Sequence, residues 1–207
     1  MVSRTRRRAP KQAAEVRRET LVDAAIRVFS GTSYRSAGTA EIAREAGVAE
    51  PTIYRHFESK RELYLAALKR CGDLVIEEFR RIDAATPLAE QALEAMGKWY
   101  GEAMETDPAY LRLRQRSLAE TDDPQVQQLV RTTYQDVLEV IARVISRGQE
   151  QGTLNARLSP MAGAWLFLAI GHTMDLARLI GLGDNDETDG CHGMVDVVSM
   201  ALMTAQP

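Results

Sequence analysis

The stretch VAEPTIYRHFESKREL, residues 48–63, places an acid, a proline, a tyrosine, a histidine and several bases within little more than the length of one helix. Ser59 and Glu62 near its end form a capping box, so a helix is predicted to begin there. Immediately upstream, EIAREAG predicts a short helix that ends at Gly47. A helix, a glycine-centred turn and a second helix form a helix-turn-helix, in which the second helix lies in the major groove of DNA.

The residue types on this second predicted helix suit contact with DNA. Compact or rigid donors can grip phosphates, and side chains at the start of the helix can approach base edges. The phosphate candidates are Thr52, Tyr54, His56 and Lys60, and the base-edge candidates are Glu50, Pro51, Thr52 and Arg55. Phe57 is expected to be a core residue, and a partly buried Tyr54 is the alternative to a phosphate contact.

The rest of the pattern predicts an all-α protein of about nine helices. Apolar residues recur at helical spacing, a first helix ends at Gly31, a third short helix covers residues 51–57, and no useful strand pattern occurs. Four capping residues followed by proline mark further helix starts: Thr86-Pro87, Asp107-Pro108, Asp123-Pro124 and Ser159-Pro160. Residues 160–182 and 194–203 are apolar nearly all round, which favours a partner subunit that covers one face.

Charge divides the chain into a basic and an acidic part. Residues 1–70 carry 15 bases and 8 acids, a balance of +7, and residues 71–207 carry 11 and 21, a balance of −10, which together give the net charge of −3. The basic part indicates an anionic partner at that end. Its arm resembles extensions that enter the minor groove, where arginine is attracted to narrow A·T tracts. The arm candidates are Arg6, Arg7 and Arg8, and the alternative is a tail that only steers association.

Residues 21–68, above all TAEIAREAGVAEPTIYRHFESKRELYLAAL, closely resemble the DNA-binding domain of the TetR family of bacterial transcriptional regulators. The resemblance implies a homodimer joined through the last two helices, a helical domain that binds a small-molecule effector, and a palindromic operator released on effector binding. It places Thr39, Thr52, Tyr54, His56 and Lys60 on DNA-contact positions, and Glu50, Pro51 and Arg55 on variable reading positions. Gly38 stands at a position where many members have a phosphate-binding capping residue, and Ala49 replaces a common capping serine.

Three segments follow from these patterns. Residues 1–14 form a basic arm expected to be disordered, residues 15–62 a three-helix DNA-binding domain with the helix-turn-helix, and residues 63–207 a helical ligand-binding and dimerisation domain. Gly163, Ala164 and Gly171 are expected to let a neighbouring helix approach closely at the dimer seam.

Ligand sites in helical domains are apolar with a few convergent polar groups. The apolar and aromatic candidates are Met96, Trp99, Tyr100, Met104, Leu111, Tyr134, Trp165 and Phe167, with plain core as their alternative. Arg114 is a candidate partner for an acidic ligand, or a structural arginine. His172 and Asp175 interrupt an apolar helix, so they either polarise a ligand, link subunits or satisfy each other inside the core.

Other function classes are disfavoured. Cys71 and Cys191 have no Cys-x-x-Cys spacing, which favours a reducing, cytoplasmic location, and the longest apolar run is about half the ~20 residues needed to cross a bilayer. Paired Glu-x-x-His motifs are absent, and the acids of residues 183–190 are out of register for an EF-hand. No metal, cofactor or enzymatic activity is therefore expected. The alternative to a ligand-responsive repressor is a ligand-independent DNA-binding dimer, either architectural or constitutively repressing.

Overall fold

The computed structural model describes residues 8–182 and Leu202, and this part of the chain has eight α-helices, one 3-10 turn and no strand. The elements are α1 Arg8–Gly31, α2 Thr39–Glu45, the 3-10 turn Glu50–Thr52, α3 Ile53–His56, α4 Lys60–Ala85, α5 Ala89–Thr106, α6 Pro108–Leu118, α7 Pro124–Glu150 and α8 Pro160–Leu179. The all-α prediction is confirmed. Outside the described residues lie the acidic loop 183–190, Cys191 and, apart from Leu202, the helix predicted over 194–203.

Capping side chains set the starts of α7 and α8 as predicted. The Asp123 carboxylate accepts from the backbone N–H groups of Gln125 and Val126 at 2.9 and 3.3 Å. The Ser159 hydroxyl accepts from the N–H of Ala162 at 3.1 Å. Each cap satisfies N–H groups that have no partner inside the helix, and the proline that follows loses no bond.

The start of α5 differs from its prediction. The helix begins at Ala89 rather than at Pro87, because the N–H of Thr86, the residue after α4, donates to the carbonyl of Ile82 at 2.9 Å and so closes the end of α4. The N–H of Ala89 is satisfied instead by the side-chain oxygen of Gln151 at 3.0 Å. A partner 62 residues away therefore replaces the local cap that the Thr-Pro pair predicted.

Residues 8–14 of the basic arm are helical, which corrects the prediction of disorder for this part of the arm. α1 begins at Arg8. Pro10 lies in the first turn, where its missing N–H removes no intrahelical bond, and the alanines around it favour helix. Residues 1–7 lie outside the described part of the chain.

The chain forms two compact units, and one boundary between them falls within α4. The head unit comprises the described residues of Met1–Cys71 and Ala109–Val130, and the body unit comprises those of Gly72–Pro108 and Arg131–Pro207. The head unit therefore contains the helix-turn-helix together with nearly all of α6 and the start of α7. Among the described helices none is long and apolar enough to cross a membrane.

Each unit has its own apolar core. In the head unit the largest fully buried side chains are Leu21, Ile26, Phe29, Ile42, Ile53, Phe57, Leu63, Leu111 and Leu113. In the body unit the buried residues include Phe79, Met96, Ile141, Val144, Ile145 and Ala164. Burial of large apolar side chains of this kind contributes about 1.5–3 kcal/mol each relative to exposure.

The small residues of α8 pack inside the chain, which differs from their expected place in a dimer seam. Gly163 and Ala164 are buried. A Cβ atom on Gly163 would lie 2.8 Å from Ile145 of α7 and 3.1 Å from Leu202. The glycine is therefore explained by the close approach of α8 to its own neighbours.

Candidate nucleic-acid interface and effector site

The turn that leads from α2 to the next helix is built around Gly47. Its φ of +66° lies in the left-handed region that favours glycine. Its N–H donates to the carbonyl of Arg44 at 3.1 Å, and the N–H of Val48 donates to the carbonyl of Ala43 at 2.9 Å. These bonds satisfy carbonyls at the end of α2, so a single glycine both ends the helix and redirects the chain.

The recognition segment, residues 50–56, has one face in the core and one face in solvent. Ile53 is fully buried and Phe57, the next residue after the segment, is 2% exposed, whereas Tyr54 is 52% exposed. The helix predicted over residues 51–57 is divided into the 3-10 turn and α3, as is common at helix N-termini. The two anchors therefore turn the ring of Tyr54 outward.

The remaining DNA-contact candidates within residues 38–60 are exposed or half-buried. Gly38, Pro51 and Arg55 are exposed, and Thr39, Glu50, Thr52, His56 and Lys60 are half-buried. Gly38 and Ala49 precede α2 and the 3-10 turn without a side-chain cap. Arg8 opens α1, and Arg6 and Arg7 lie outside the described residues.

Thr39 and Glu50 form a contact that the sequence pattern did not indicate. The Thr39 hydroxyl donates to Oε1 of Glu50 at 2.5 Å, and its Oγ1 lies 3.3 Å from the hydroxyl of Tyr54. The contact joins the first residue of α2 to the first residue of the recognition segment. Three predicted site residues are thereby brought together on one surface.

Lys60 opens α4, and its ammonium binds the loop after α1. Its Nζ donates to the backbone carbonyls of Tyr34 at 2.7 Å and Ala37 at 2.9 Å, and lies 4.6 Å from the centroid of the Tyr34 ring. An ammonium has three donors, so most of them hold this loop. Lys60, which the sequence predicted to contact a phosphate, therefore positions the loop that leads into α2.

The start of α4 is tied to the α6–α7 corner of the head unit by Arg61. Its guanidinium contacts both carboxylate oxygens of Asp123, at 2.5 and 2.6 Å, and donates to Gln125 at 2.9 Å. These hydrogen bonds from Arg61, with the N–H bonds at the start of α7, hold the pKa of Asp123 below its ordinary value. A bidentate pair of this kind is geometrically specific.

The pair of Tyr64 and Glu120 joins the same two regions one turn further along α4. The Tyr64 hydroxyl donates to Glu120 at 2.5 Å. The ring packs against Phe29 and Tyr34, each with a centroid distance of 4.9 Å. Burial, and then the bond to the carboxylate, raise the pKa of Tyr64 far above its usual range. No sequence signal marked Arg61 or Tyr64 as important.

In the body unit, two predicted ligand residues meet where α5 faces α8. The hydroxyl of Tyr100 donates to Oδ2 of Asp175 at 2.6 Å, and Asp175 is fully buried. One turn earlier on α8, the His172 ring stacks on Tyr134 of α7, with Nε2 2.9 Å from the tyrosine hydroxyl. His172 and Asp175 are three residues apart and so share a helix face.

Arg178 extends this polar row and was not predicted. Its guanidinium lies 3.1 Å from Glu105 of α5 and 4.0 Å from Oδ1 of Asp175. The spacing His-x-x-Asp-x-x-Arg within an otherwise apolar helix is the signal that could have revealed it. The row, residues 172, 175 and 178, places three ionisable groups in contact with α5 and α7.

The other ligand candidates are divided between the two units. Met96 is buried, and Trp99 and Phe167 each pack edge-on against Phe79, with centroid distances of 6.1 and 6.4 Å. Met104 is also buried. Trp165 is 53% exposed, and Leu111 and Arg114 belong to the head unit.

Comparison with known proteins agrees with this arrangement. Residues 21–67 match the model for bacterial regulatory proteins of the tetR family. The chain is 34% identical over 155 residues to the HTH-type transcriptional activator FasR of Mycolicibacterium smegmatis, which covers 73% of this chain and 69% of the relative. It is 37% identical over 81 residues to the HTH-type transcriptional repressor KstR of the same organism, covering 39% of this chain and 36% of the relative.

A solved structure gives the same fold over most of the chain. The transcriptional regulator FadR of Bacillus subtilis, solved in complex with stearoyl-CoA, superposes with a TM-score of 0.74 at 16% identity, covering 88% of this chain and 98% of FadR. Together with the helix-turn-helix, these matches define a bacterial transcriptional regulator. The chain belongs to the TetR family.

Proposed function

We propose that this regulator is a homodimer that binds a palindromic operator and is a repressor released when a small apolar or amphipathic effector binds its body unit. The DNA-binding part rests on the recognition segment, whose Ile53 anchor is fully buried while Tyr54 is half exposed. Phosphate contacts from Thr52, Tyr54 and His56 would set the orientation, and residues 50, 51 and 55 would face base edges.

The effector part rests on the polar row of α8. A buried carboxylate and an imidazole on an apolar helix are costly unless they are hydrogen-bonded, and here Tyr100 and Tyr134 are their partners. An effector with a polar group can exchange for these partners, while its apolar part packs near Met96, Trp99 and Phe167. The stearoyl-CoA bound by the structural neighbour FadR is amphipathic, which makes it a suitable first probe.

Dimerisation is proposed through α8 and the last helix of the chain. The face of α8 that is exposed in the single chain carries large apolar side chains: Met161, Trp165, Leu166, Leu176 and Leu179. Contiguous exposed apolar residues of this kind mark interaction surfaces. A symmetric pair of chains would present two recognition segments to a palindrome.

Effector and operator would then oppose each other by linkage. If each ligand favours a different separation of the two recognition segments, each lowers the affinity of the dimer for the other by the same factor. The relatives reported above include a protein named as an activator and one named as a repressor. The direction of regulation therefore requires its own measurement.

The test is a fluorescence-anisotropy titration with the DNA upstream of the protein's own gene, at several salt concentrations. Wild type is compared with Tyr54→Ala and Tyr54→Phe, which separate the ring from its hydroxyl. We expect tight binding to one palindrome, lost in Tyr54→Ala and weakened by added salt. Stearoyl-CoA is then added to the complex, and a reporter driven by the same DNA gives the direction of regulation.

Equal affinity for all DNA sequences would contradict the proposed function. Specific binding that no amphipathic probe alters, with a body unit that binds none of them in calorimetry, would favour the ligand-independent dimer. Reporter expression that falls when the protein is removed would identify an activator.

A further inference from the structure

The carboxylate of Glu50 lies at the start of the recognition segment, where it is hydrogen-bonded to the hydroxyl of Thr39. The first residues of a recognition helix are those that contact base edges. Glu50 is half-buried, and its Oε1 accepts a hydrogen bond from the Thr39 hydroxyl, with an oxygen–oxygen distance of 2.5 Å. A carboxylate has about four acceptor sites, so it retains capacity to accept from a base.

The same bond changes the role of Thr39. A hydroxyl has one proton to donate, and that proton is directed to Glu50. While this bond holds, Thr39 cannot also donate to a phosphate oxygen. The hydroxyl of Tyr54 lies 3.3 Å from Oγ1 of Thr39, so a second side chain limits the positions that the threonine can take. Thr39 therefore acts on the orientation of Glu50.

A carboxylate on a DNA-facing surface is repelled by the phosphates, and a base-edge donor is what offsets that repulsion. In the major groove the amino groups of cytosine and adenine are the exocyclic donors. Adenine places its N7 acceptor beside the amino group, and a carboxylate has no proton for N7. Cytosine presents its N4 amino group beside a C5–H rather than beside a ring-nitrogen acceptor of the same base, so it is the better partner for Glu50.

We propose that Glu50 selects a cytosine in each half-site by accepting from its N4 amino group, and that Thr39 is the positioning residue that orients the carboxylate. The proposal rests on the proposed function of sequence-specific DNA binding. It adds the identity of one base in each half-site. It also gives Thr39 a positioning role in place of a contact with the DNA backbone.

The test is selection from randomised double-stranded DNA by wild type, Glu50→Gln, Glu50→Ala, Thr39→Val and the control Glu41→Gln. Glu41 is an exposed acid on α2 whose carboxylate lies 3.7 Å from Arg44, so its variant makes the same charge change outside the site. We expect a wild-type cytosine preference of about tenfold to a hundredfold at one position of each half-site. Glu50→Gln should move that preference towards adenine, Glu50→Ala should abolish it, and Thr39→Val should reduce it at that position alone.

An unchanged cytosine preference in folded Glu50→Gln and Glu50→Ala would overturn the inference and leave sequence-specific binding intact, with Glu50 serving only the first turn of α2. A wild-type protein that selects no sequence would overturn the proposed function as well. A second measurement avoids variants: wild type is titrated against operator DNA with N4-methylcytosine at the selected position, where a methyl group replaces the groove-facing hydrogen. Affinity should fall about tenfold or more, and an unaltered affinity would again overturn the inference.

Discussion

Tyr64 and Glu120 are 56 residues apart, and the tyrosine hydroxyl donates a 2.5 Å hydrogen bond to the glutamate carboxylate within the head unit. One turn earlier on α4, Arg61 contacts Asp123 through two oxygens. The chain therefore attaches the α6–α7 corner to the helix that follows the recognition segment by two adjacent polar contacts. Because the corner and the recognition segment belong to one compact unit, we expect these contacts to stabilise that unit.

Tyr64→Phe tests the energetic part of this attachment. The variant keeps the ring against Phe29 and Tyr34 but leaves Glu120 without its donor. We expect the free energy of unfolding at pH 7 to fall by about 1–3 kcal/mol, measured by urea denaturation followed by circular dichroism. Tyr54→Phe, which removes a hydroxyl from an exposed ring, should change it by less than about 0.5 kcal/mol. Equal changes in Tyr64→Phe and Tyr54→Phe would mean that the hydrogen bond to Glu120 contributes nothing to the free energy of unfolding.

The alkaline stability of the protein should depend on the same tyrosine. The folded pKa of Tyr64 is raised above its ordinary value of 10.0 by burial and by Glu120. Its contribution is therefore fully present below pH 10, where the unfolded tyrosine is neutral, and is lost as pH rises towards the folded pKa. We expect wild type to lose stability above pH 10 more steeply than Tyr64→Phe. Parallel curves for the two proteins would contradict this assignment.

The stability of the protein at low pH should depend on Asp123. Its folded pKa is lowered from 3.8, first by the hydrogen bonds from Arg61, so its contribution is present above the unfolded pKa and lost as pH falls through the folded pKa. The melting-temperature difference between wild type and Asp123→Asn should be largest near pH 7 and shrink below pH 4. Asp122→Asn, an exposed neighbouring acid, serves as the control and should show no such trend.

Lys60→Met separates a structural lysine from a phosphate contact. Its ammonium donates to the carbonyls of Tyr34 and Ala37, so removing it should lower the free energy of unfolding by about 1–3 kcal/mol. A phosphate contact would instead reduce the slope of log affinity against log salt by about one unit. We expect Lys60→Met to lower the free energy of unfolding and to leave the slope of log affinity against log salt as it is in wild type. A stable variant with a reduced slope would assign Lys60 to the DNA.

Local hydrogen bonds explain why the helix-turn-helix could be predicted from the sequence. Gly47 and Ser59 act on residues within a few positions of themselves, and the structure has the left-handed glycine and the Ser59 bond to the N–H of Glu62 at 3.1 Å. The glutamate reaches back to the N–H of Glu58 rather than to that of Ser59. By contrast, nothing near Arg61 or Tyr64 identifies a carboxylate some sixty residues away, because many exposed acids satisfy the same pattern.

The body unit was harder to predict for a different reason. His172 and Asp175 stood out as polar interruptions of an apolar helix, and their partners Tyr134 and Tyr100 were both among the ligand candidates. A helix that is apolar nearly all round has no periodicity that distinguishes its buried face from its exposed face. The pattern therefore could not show that Trp165 is exposed.

The exposed face of α8 provides the sharpest test of the proposed dimer. Trp165 is 53% exposed and Leu176 is 55% exposed, and a buried tryptophan at the centre of an interface commonly contributes 2 kcal/mol or more. Trp165→Asp should therefore weaken self-association by about 30-fold or more, measured by sedimentation velocity. Affinity for a palindrome should fall with it, while affinity for a single half-site should not, because the recognition segment is unaltered.

The control for this experiment is Leu118→Asp, which places the same charge on an exposed leucine of α6. It should sediment like wild type if the interface lies on α8. Dimers that persist in Trp165→Asp and in Leu176→Asp would contradict an interface on this face of α8. In that case the exposed apolar residues of α8 would need another partner, and the two recognition segments would have to be joined through a different surface.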